Sequence, residues 1–232
     1  MCGLLRIAKL NKIFVIISSH LQEKGSVGHN MSLKQTFTII ALGCTTLAST
    51  TTLASPSKNE SWYFYAGLGW AGPSYPASLQ ESFDALNSQP GVSHFPLSMD
   101  LLGFYFPMTS DHRTALGPIV SGVGDRWTIG TEWMQFNQYT YGVSLLHFFG
   151  ANMGDGFFLR ADAGAARNVL MESSTFLEGI AVSDWGVGAL LGAGYGWGIN
   201  DQTRFLMNAN YSYRSIQDFN IGTFAISAGF LF

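Results

Sequence analysis

Apolar and polar residues alternate along several segments of the chain. Between residues 185 and 197, every second residue is apolar, and the residues between them are glycine apart from Leu190. The same period of two is present in segments 157–167 and 205–213. Residues two apart share a face on a strand but point to different sides of a helix. The alternation therefore predicts strands with one apolar face and one small or polar face.

The pattern predicts eight strands, each long enough to cross a bilayer at a tilt. They are placed at 62–70, 98–106, 114–123, 139–149, 157–167, 185–197, 205–213 and within 216–232. Short turns are expected near 108–113, 150–156 and 198–203, longer loops at 71–97, 124–138 and 168–184, and a short final hairpin near 215–218. Alternating short and long connections are typical of transmembrane β-barrels. Pro118 fits the third strand poorly, because proline cannot donate a ladder hydrogen bond.

The composition agrees with strands that contact lipid. The 232 residues are 47% hydrophobic and 12% charged, whereas charged residues make up about 25% of an ordinary soluble protein. No apolar run approaches the roughly 18 residues that a spanning helix requires. A high apolar content without a long apolar run is expected when one face of each strand faces lipid.

Residues 31–54 are predicted to be a secretory signal peptide. A basic start and a short apolar centre lead to small residues, with cleavage expected after Ala54 and Ala48 as a second possibility. Residues 1–30 are interpreted as a non-native N-terminal extension, because a signal peptide thirty residues into a chain is hard to explain. Translation is therefore expected to begin at Met31.

The barrel domain is assigned to residues 55–232. Cys2 and Cys44 both precede it, so no disulfide is expected to stabilise it. Cys44 loosely resembles a lipoprotein processing site, although Ala41 stands where leucine is usual. Removing residues 1–54 takes away five basic residues and one acidic residue. The remaining domain is net negative and has no basic patch for nucleic acid.

Three charged residues are predicted to face the barrel interior: Arg160, Asp162 and Arg204. Arg160 and Asp162 are two apart on one strand and therefore share a face. Unpaired charge in an enclosed interior is costly, so these residues are expected to form a charge network that fills the lumen. A role in permeation or catalysis is the alternative for them.

No catalytic, cofactor-binding or metal site is predicted. The candidate pairs of a hydroxyl and an imidazole residue are Ser93 with His94, His112 with Thr114, and Ser144 with His147. The first pair is adjacent in a predicted loop, the second has threonine in a predicted periplasmic turn, and the third falls on opposite strand faces. An oriented nucleophile and base is therefore missing, and no enzyme activity is expected.

The final segment, 216–232, carries the most specific pattern. Counting back in twos from Phe232 gives an apolar row that includes Phe230 and Phe224, whereas the other register is mostly small. This segment resembles the closing strand of bacterial outer-membrane β-barrels, in which a final aromatic residue is recognised by the assembly machinery. Phe224, Phe230 and Phe232 match that barrel-assembly signal. The edge strand of a soluble β-sandwich is the alternative.

Residues 61–232 as a whole resemble the small outer-membrane barrels, the class of the outer-membrane protein A membrane domain and the opacity proteins. The resemblance implies an all-β fold, an eight-stranded antiparallel up-and-down transmembrane β-barrel in the outer membrane. It also implies contacts with outer-membrane lipids, lipopolysaccharide and the barrel-assembly machinery, and a monomeric state.

The fold hosts several functions, so it predicts function only weakly. The first hypothesis is a surface protein with exposed loops, a structural or surface-interaction role and no catalysis. A lipid A-modifying enzyme and a narrow channel are the alternatives, although eight strands leave little interior space for a pore.

Overall fold

The computed structural model of the protein describes residues 60–173, 178–200 and 202–232, together with positions 15, 18 and 19. The strands are β1 (Tyr63–Ser74), β2 (Val92–Pro107), β3 (Thr114–Ile129), β4 (Glu132–Phe148), β5 (Gly156–Ser173), β6 (Glu178–Val182), β7 (Gly186–Gly198), β8 (Arg204–Ile216) and β9 (Phe219–Leu231). Helix α1 (Ala77–Asn87) lies between β1 and β2. Apart from the three isolated positions, the predicted N-terminal segment 1–30 and the predicted signal peptide 31–54 lie outside the described residues.

The strands close into a barrel. Each strand of the ring is antiparallel to its neighbours, in the order β1, β2, β3, β4, β5, β7, β8, β9, and β9 pairs with β1. The backbones of Phe64 and Phe232 exchange hydrogen bonds of 2.9 and 2.8 Å at this closure. Strand β6 pairs only with the end of β5 and adds no ninth strand to the ring. The predicted eight-stranded antiparallel up-and-down barrel is therefore confirmed.

The outer surface carries an apolar belt. Phe224, Ile226 and Phe230 on β9 and the following Phe232 are each 43–48% exposed, whereas Leu231 and the other residues of the alternate register are largely buried. Aromatic side chains contact one another around the periplasmic end, in the order Phe157, Tyr195, Trp197, Phe205, Phe230, Phe232, Phe64, Phe104 and Trp62. Aromatic girdles of this kind mark the interface of a barrel with the bilayer.

Aromatic residues also mark the opposite edge of the belt. They are Trp70, Tyr141, Trp185 and Tyr213, each about half exposed. This end is assigned to the cell exterior, because it carries the longer connections and α1. Within the described residues no helix is long and apolar enough to cross a membrane.

The three predicted long loops are largely ordered structure, so those loop boundaries were wrong. Residues 124–138 form the ends of β3 and β4 around a two-residue turn at Gly130, which has a positive φ of 62°. Residues 71–97 contain α1 and the start of β2, and residues 168–184 contain the end of β5 and β6. Strands β2 to β5 consequently run for 16, 16, 17 and 18 residues, against 12 or 13 for β1, β7, β8 and β9.

Pro118 lies in the middle of β3 despite its missing donor. Its register to β4 is regular, opposite Val143. On the other side, the pairing with β2 is interrupted between Ile119 and Leu116, and the proline falls in that interruption. The backbones of β2 and β3 approach each other closely there. A Cβ added to Gly117 would lie only 1.5 Å from the Phe104 carbonyl oxygen. The interruption therefore absorbs the proline that the sequence pattern could not explain.

Helix α1 follows from an apolar stripe within the first extracellular connection. Leu79, Phe83 and Leu86 recur at a helical spacing and are all buried. The helix follows Pro76 and ends where the Ser88 N–H donates to the Asp84 carbonyl oxygen at 2.9 Å. The buried stripe places α1 on the extracellular mouth of the barrel.

Candidate functional site

The barrel interior has an apolar cluster at each end and a polar layer between them. The extracellular plug comprises Leu79, Phe83 and Leu86 of α1 with Trp127, Met134, Phe136, Leu170, Ala181, Phe219 and Ile221. The periplasmic plug comprises Tyr65, Tyr105, Ala115, Leu146, Phe148, Met153, Phe158, Leu206 and Leu231. The polar layer between these plugs contains the charged residues predicted to face the interior.

Arg160 lies at the centre of that layer. Its two terminal nitrogens donate to both Asp100 oxygens at 2.8 Å, and its Nε and Nη2 donate to Asp162 at 2.6–3.1 Å. All three side chains are at most 5% exposed. Asp100 is on β2 and the other two are on β5, three strands away around the ring, so the ion pairs cross the lumen. Bidentate pairing of this kind is the strongest geometry that a guanidinium offers to a carboxylate.

Arg204 does not join this layer, contrary to the sequence-based assignment. It is the first residue of β8, and its Nε lies 3.1 Å from an oxygen of Asp155 in the periplasmic turn between β4 and β5. Its guanidinium also donates to the Asn200 carbonyl oxygen. The reason is its position at the strand end, where a long side chain reaches the turns instead of the lumen.

Two buried members of the layer were not assigned from the sequence. Strict alternation along β2 would put Asp100 on the lipid-facing side with Phe104, but a bulge between Asp100 and Leu102 reverses the alternation and turns the carboxylate inward. Arg214 is 2% exposed and donates to the hydroxyl groups of Thr140 and Ser212 at 3.0 and 2.9 Å. Its place at the end of the polar row of β8 was the signal that could have found it.

A second constellation lies beside α1 at the extracellular end. Asp125 on β3 is 1% exposed and accepts a hydrogen bond from the Tyr75 hydroxyl at 2.8 Å. Its other oxygen contacts Nε2 of His94 on β2. The His94 ring is stacked on Trp127 with 4.9 Å between centroids, and Trp127 is stacked on Phe83 with 4.5 Å. These side chains line a half-open cavity of about 180 Å³.

Two glutamates lie inward at the outermost end of the same region. Glu172 is near the end of β5, beyond the apolar belt, and is 4% exposed. Burial, and then the neighbouring Glu132 carboxylate, raise the pKa of Glu172 to about 7. Its ionisation therefore falls near neutral pH.

Comparison with solved structures concerns the fold alone. Ail, the attachment invasion locus protein of Yersinia pestis, is 16% identical over 75% of this chain and 100% of its own, with a TM-score of 0.41. Neisserial surface protein A is 15% identical over 74% and 96%, with a TM-score of 0.44. The N-terminal barrel domain of OprF from Pseudomonas aeruginosa is 14% identical over 75% and 98%, with a TM-score of 0.37. No protein-family model and no curated protein matches the chain.

A closed ring of eight antiparallel strands with an apolar outer belt and aromatic girdles pairs its backbone within the ring, as a lipid environment requires. The chain is an eight-stranded outer-membrane β-barrel. The belt places it in the bacterial outer membrane, with its polar layer enclosed inside the ring.

The barrel places Ser144 and His147 on opposite faces of β4, but it brings the Thr114 hydroxyl to 2.8 Å from Nδ1 of His147. Ser144 faces the interior and accepts from the Tyr105 hydroxyl at 2.8 Å, whereas His147 contacts Thr114 and the Phe149 ring near the belt. The Ser93 hydroxyl faces away from the cavity and donates to a backbone carbonyl at 3.5 Å. Among the described residues, no group of three histidine, cysteine or acidic side chains could hold a metal ion.

Proposed function

We propose that the barrel is a non-enzymatic surface protein whose ordered extracellular part, and not its lumen, performs a surface-interaction role. The observation that supports this proposal is the length of β2 to β5. A tilted strand crosses a bilayer in about 9–11 residues, whereas β5 has 18. The surplus of about seven residues corresponds to a wall roughly 15 Å high beyond the membrane.

This wall is a folded structure. Its parts beyond the belt are residues 124–129 of β3, 132–138 of β4 and 168–173 of β5, which we call the extension. The extension is hydrogen-bonded throughout, with β3 paired to β4 as far as Ile129 and β4 paired to β5 as far as Ser173. Helix α1 packs against its inner side. A rigid, preorganised surface of this kind lowers the entropic cost of binding a partner.

The filled interior supports this role over that of a narrow channel. From the extracellular end to the periplasmic end, the lumen is filled by the extracellular plug, the Arg160 ion pairs and the periplasmic plug. Trp127, Phe148 and Phe158 are each at most 2% exposed. An eight-stranded ring has an interior about as wide as its side chains, so these layers leave little room for a continuous water path.

The lining of the extracellular cavity supports a non-catalytic role. His94 with Asp125 resembles a base with its orienting carboxylate, but the described cavity lining contains no serine, threonine or cysteine side chain. The arrangement therefore lacks the nucleophile that acyl transfer through a covalent intermediate requires.

The first test is topology on intact cells. The variants Asp84→Cys on α1 and Thr131→Cys in the β3–β4 turn are each exposed to a membrane-impermeant maleimide. Both are expected to be labelled on intact cells, whereas the matched variant Ser110→Cys in a periplasmic turn is expected to be labelled only after the outer membrane is permeabilised. Labelling of Ser110→Cys alone on intact cells contradicts the proposal.

The second test separates the surface role from its alternatives. The purified barrel is incubated with lipid A and the products are weighed by mass spectrometry, and the same preparation is added to planar bilayers. We expect an unchanged acyl number and no stepwise conductance. A changed acyl number supports the lipid A-modifying enzyme instead, and reproducible conductance steps support the channel.

A further inference from the structure

The barrel wall has a lateral gap at its extracellular end. Strands β1 and β2 pair with each other only as far as Trp70 and Leu97. Beyond that pair, residues 71–74 of β1 pair only with β9, and residues 92–96 of β2 pair only with β3. The two edges of the gap are therefore not joined by backbone hydrogen bonds.

Proline stands on each edge of the gap. Pro73 is on β1 and Pro96 is on β2, and neither has an N–H that would need a partner there. Trp70, Phe95 and Leu68 are 54–62% exposed beside the gap. The gap consequently opens near the outer aromatic girdle, at the height of the lipid headgroups.

The gap leads to the cavity of about 180 Å³ beside α1. A buried apolar cavity of about 150 Å³ accommodates one benzene molecule, so this space fits a single six-membered ring. Phe83, Trp127 and His94 form a nearly parallel stack beside it, with interplanar angles of 16° and 9°. Trp127 lies between the other two rings, so a ligand can contact it only at its edge, and ring edges favour an aromatic ligand over an aliphatic one of similar size.

One hydrogen-bond acceptor remains available at the cavity. Asp125 accepts from the Tyr75 hydroxyl and contacts Nε2 of His94, which places the proton of a neutral imidazole on Nε2. The Nδ1 atom is then an acceptor, and it has no hydrogen bond to any described residue. Trp127 cannot serve as the donor to it, because its Nε1–H already donates to the Asn87 side chain at 2.9 Å.

The charge of the cavity selects against anions. The Asp125 carboxylate lies in its wall, and the described lining contains no lysine or arginine. We infer that this cavity binds a small neutral aromatic molecule that carries a hydroxyl or amino group, of the phenol type. The ring lies among Phe83, Trp127 and Trp70, and its donor group faces Nδ1 of His94.

The inference is tested with 4-fluorophenol as the probe. The full-length exported barrel is placed in lipid nanodiscs, and fluorine NMR follows the probe against empty nanodiscs of the same lipid. Saturable binding above the lipid background is expected. Two further probes need no variant: 4-fluoroanisole, which lacks the donor, is expected to bind at least tenfold more weakly, and 4-fluorobenzoate is expected not to bind.

Two matched variants locate the site. His94→Phe preserves a stacked ring but removes Nδ1, and is expected to weaken 4-fluorophenol binding at least tenfold. His147→Phe replaces a strand histidine outside the cavity and is expected to bind as the parent does. Folding of both is checked by the heat-dependent mobility shift of the barrel in gels. Equal signals in empty nanodiscs, equal binding of phenol and benzoate, or unchanged binding by folded His94→Phe would each overturn the inference.

Discussion

Strand β4 passes through two regions that follow opposite rules. Within the belt, its outward residues Tyr141, Val143 and Leu145 are apolar and 39–52% exposed, and the residues between them are small or polar. In the extension the apolar residues face inward instead, and Met134 and Phe136 are completely buried. The apolar face of this one strand is therefore the outward face within the membrane and the inward face above it, as in a soluble protein.

The reversal has a simple physical cause. In lipid, an outward apolar side chain is in its preferred solvent, whereas above the membrane the same position faces water. The outward face of the extension accordingly carries Arg126, which is exposed and lies over the Trp133 ring, and the partly exposed Gln135. Helix α1 supplies the apolar surface that the inward residues of the extension then need.

The largest expected effect is in the polar layer within the belt. Arg160→Met leaves Asp100 and Asp162 buried without their cation, and the free energy of unfolding is expected to fall by about 3–5 kcal/mol. The measurement is urea unfolding in lipid vesicles. Replacing both aspartates by asparagine in the same variant is expected to recover part of the loss.

Arg204→Met is the matched control for that variant. Its ion pair with Asp155 lies at the periplasmic turns and is partly exposed, so the loss is expected to be within about 1 kcal/mol. Equal destabilisation by both variants would show that the buried Arg160 ion pairs contribute no more to stability than the partly exposed ion pair of Arg204.

The outward faces of the two regions allow a direct comparison. Leu191→Arg, on β7 in the middle of the belt, is expected to cost about 2–4 kcal/mol because the charge enters lipid. Thr128→Arg, outward on β3 in the extension, faces water and is expected to change stability by no more than about 0.5 kcal/mol. Unfolding in vesicles measures both. Similar costs for the two variants would mean that the belt does not end below Thr128.

The pH dependence of stability tests the inward side of the extension. The pKa of Glu172 is about 7 in the folded barrel, above the value of about 4.3 for an unperturbed glutamate. The folded state therefore holds the proton more tightly, and wild-type stability falls as pH rises through this interval. Glu172→Gln is expected to match the parent at pH 4 and to be more stable at pH 8, by at most about 4 kcal/mol.

The control for this pH series is Glu81→Gln, on the exposed side of α1. It is expected to give the same difference from the parent at both pH values. A pH-independent effect of Glu172→Gln would show that this carboxyl group is not buried in the folded barrel.

The smallest expected effect concerns the docking of α1. Asn87→Ala removes the acceptor of the Trp127 indole N–H and is expected to cost about 1 kcal/mol. The loss should be visible as faster hydrogen exchange of the α1 amides, with little change in the barrel strands. Ser78→Ala, on the exposed side of α1, is the control, and equal exchange rates in the two variants would contradict a structural role for this hydrogen bond.

The strands in the second half of the barrel were predictable, because apolar residues alternate with small or polar residues along nearly their whole length. The period of two in β5, β7, β8 and β9 continues without a shift in register, and strand boundaries follow to within a few residues, apart from the far end of β5. The placement of Arg160 and Asp162 on one face required only their spacing. Both side chains do lie in the interior and contact each other.

The other features depend on events that alternation cannot show. The bulge at Asp100 shifts the face of half a strand, and nothing in the local composition marks it. In the segment 124–138, the apolar residues change from the outward face to the inward face where the strands leave the lipid. The alternation of apolar and polar residues therefore shifts by one position there. A prediction that assumes one fixed alternation interprets such a segment as a loop. The cavity beside α1 joins residues of β1, α1, β2 and β3 that no sequence spacing relates.

The two-residue turn between β3 and β4 makes the extension a rigid support for an inserted peptide. Gly130 stands at its tip, and an added Cβ there would meet no atom within 4 Å. A foreign peptide inserted between Gly130 and Thr131 would therefore be presented at a fixed height above the membrane, on two hydrogen-bonded strands that cannot bend independently. The barrel offers a rigid display scaffold whose reach is set by hydrogen-bond register and not by loop length.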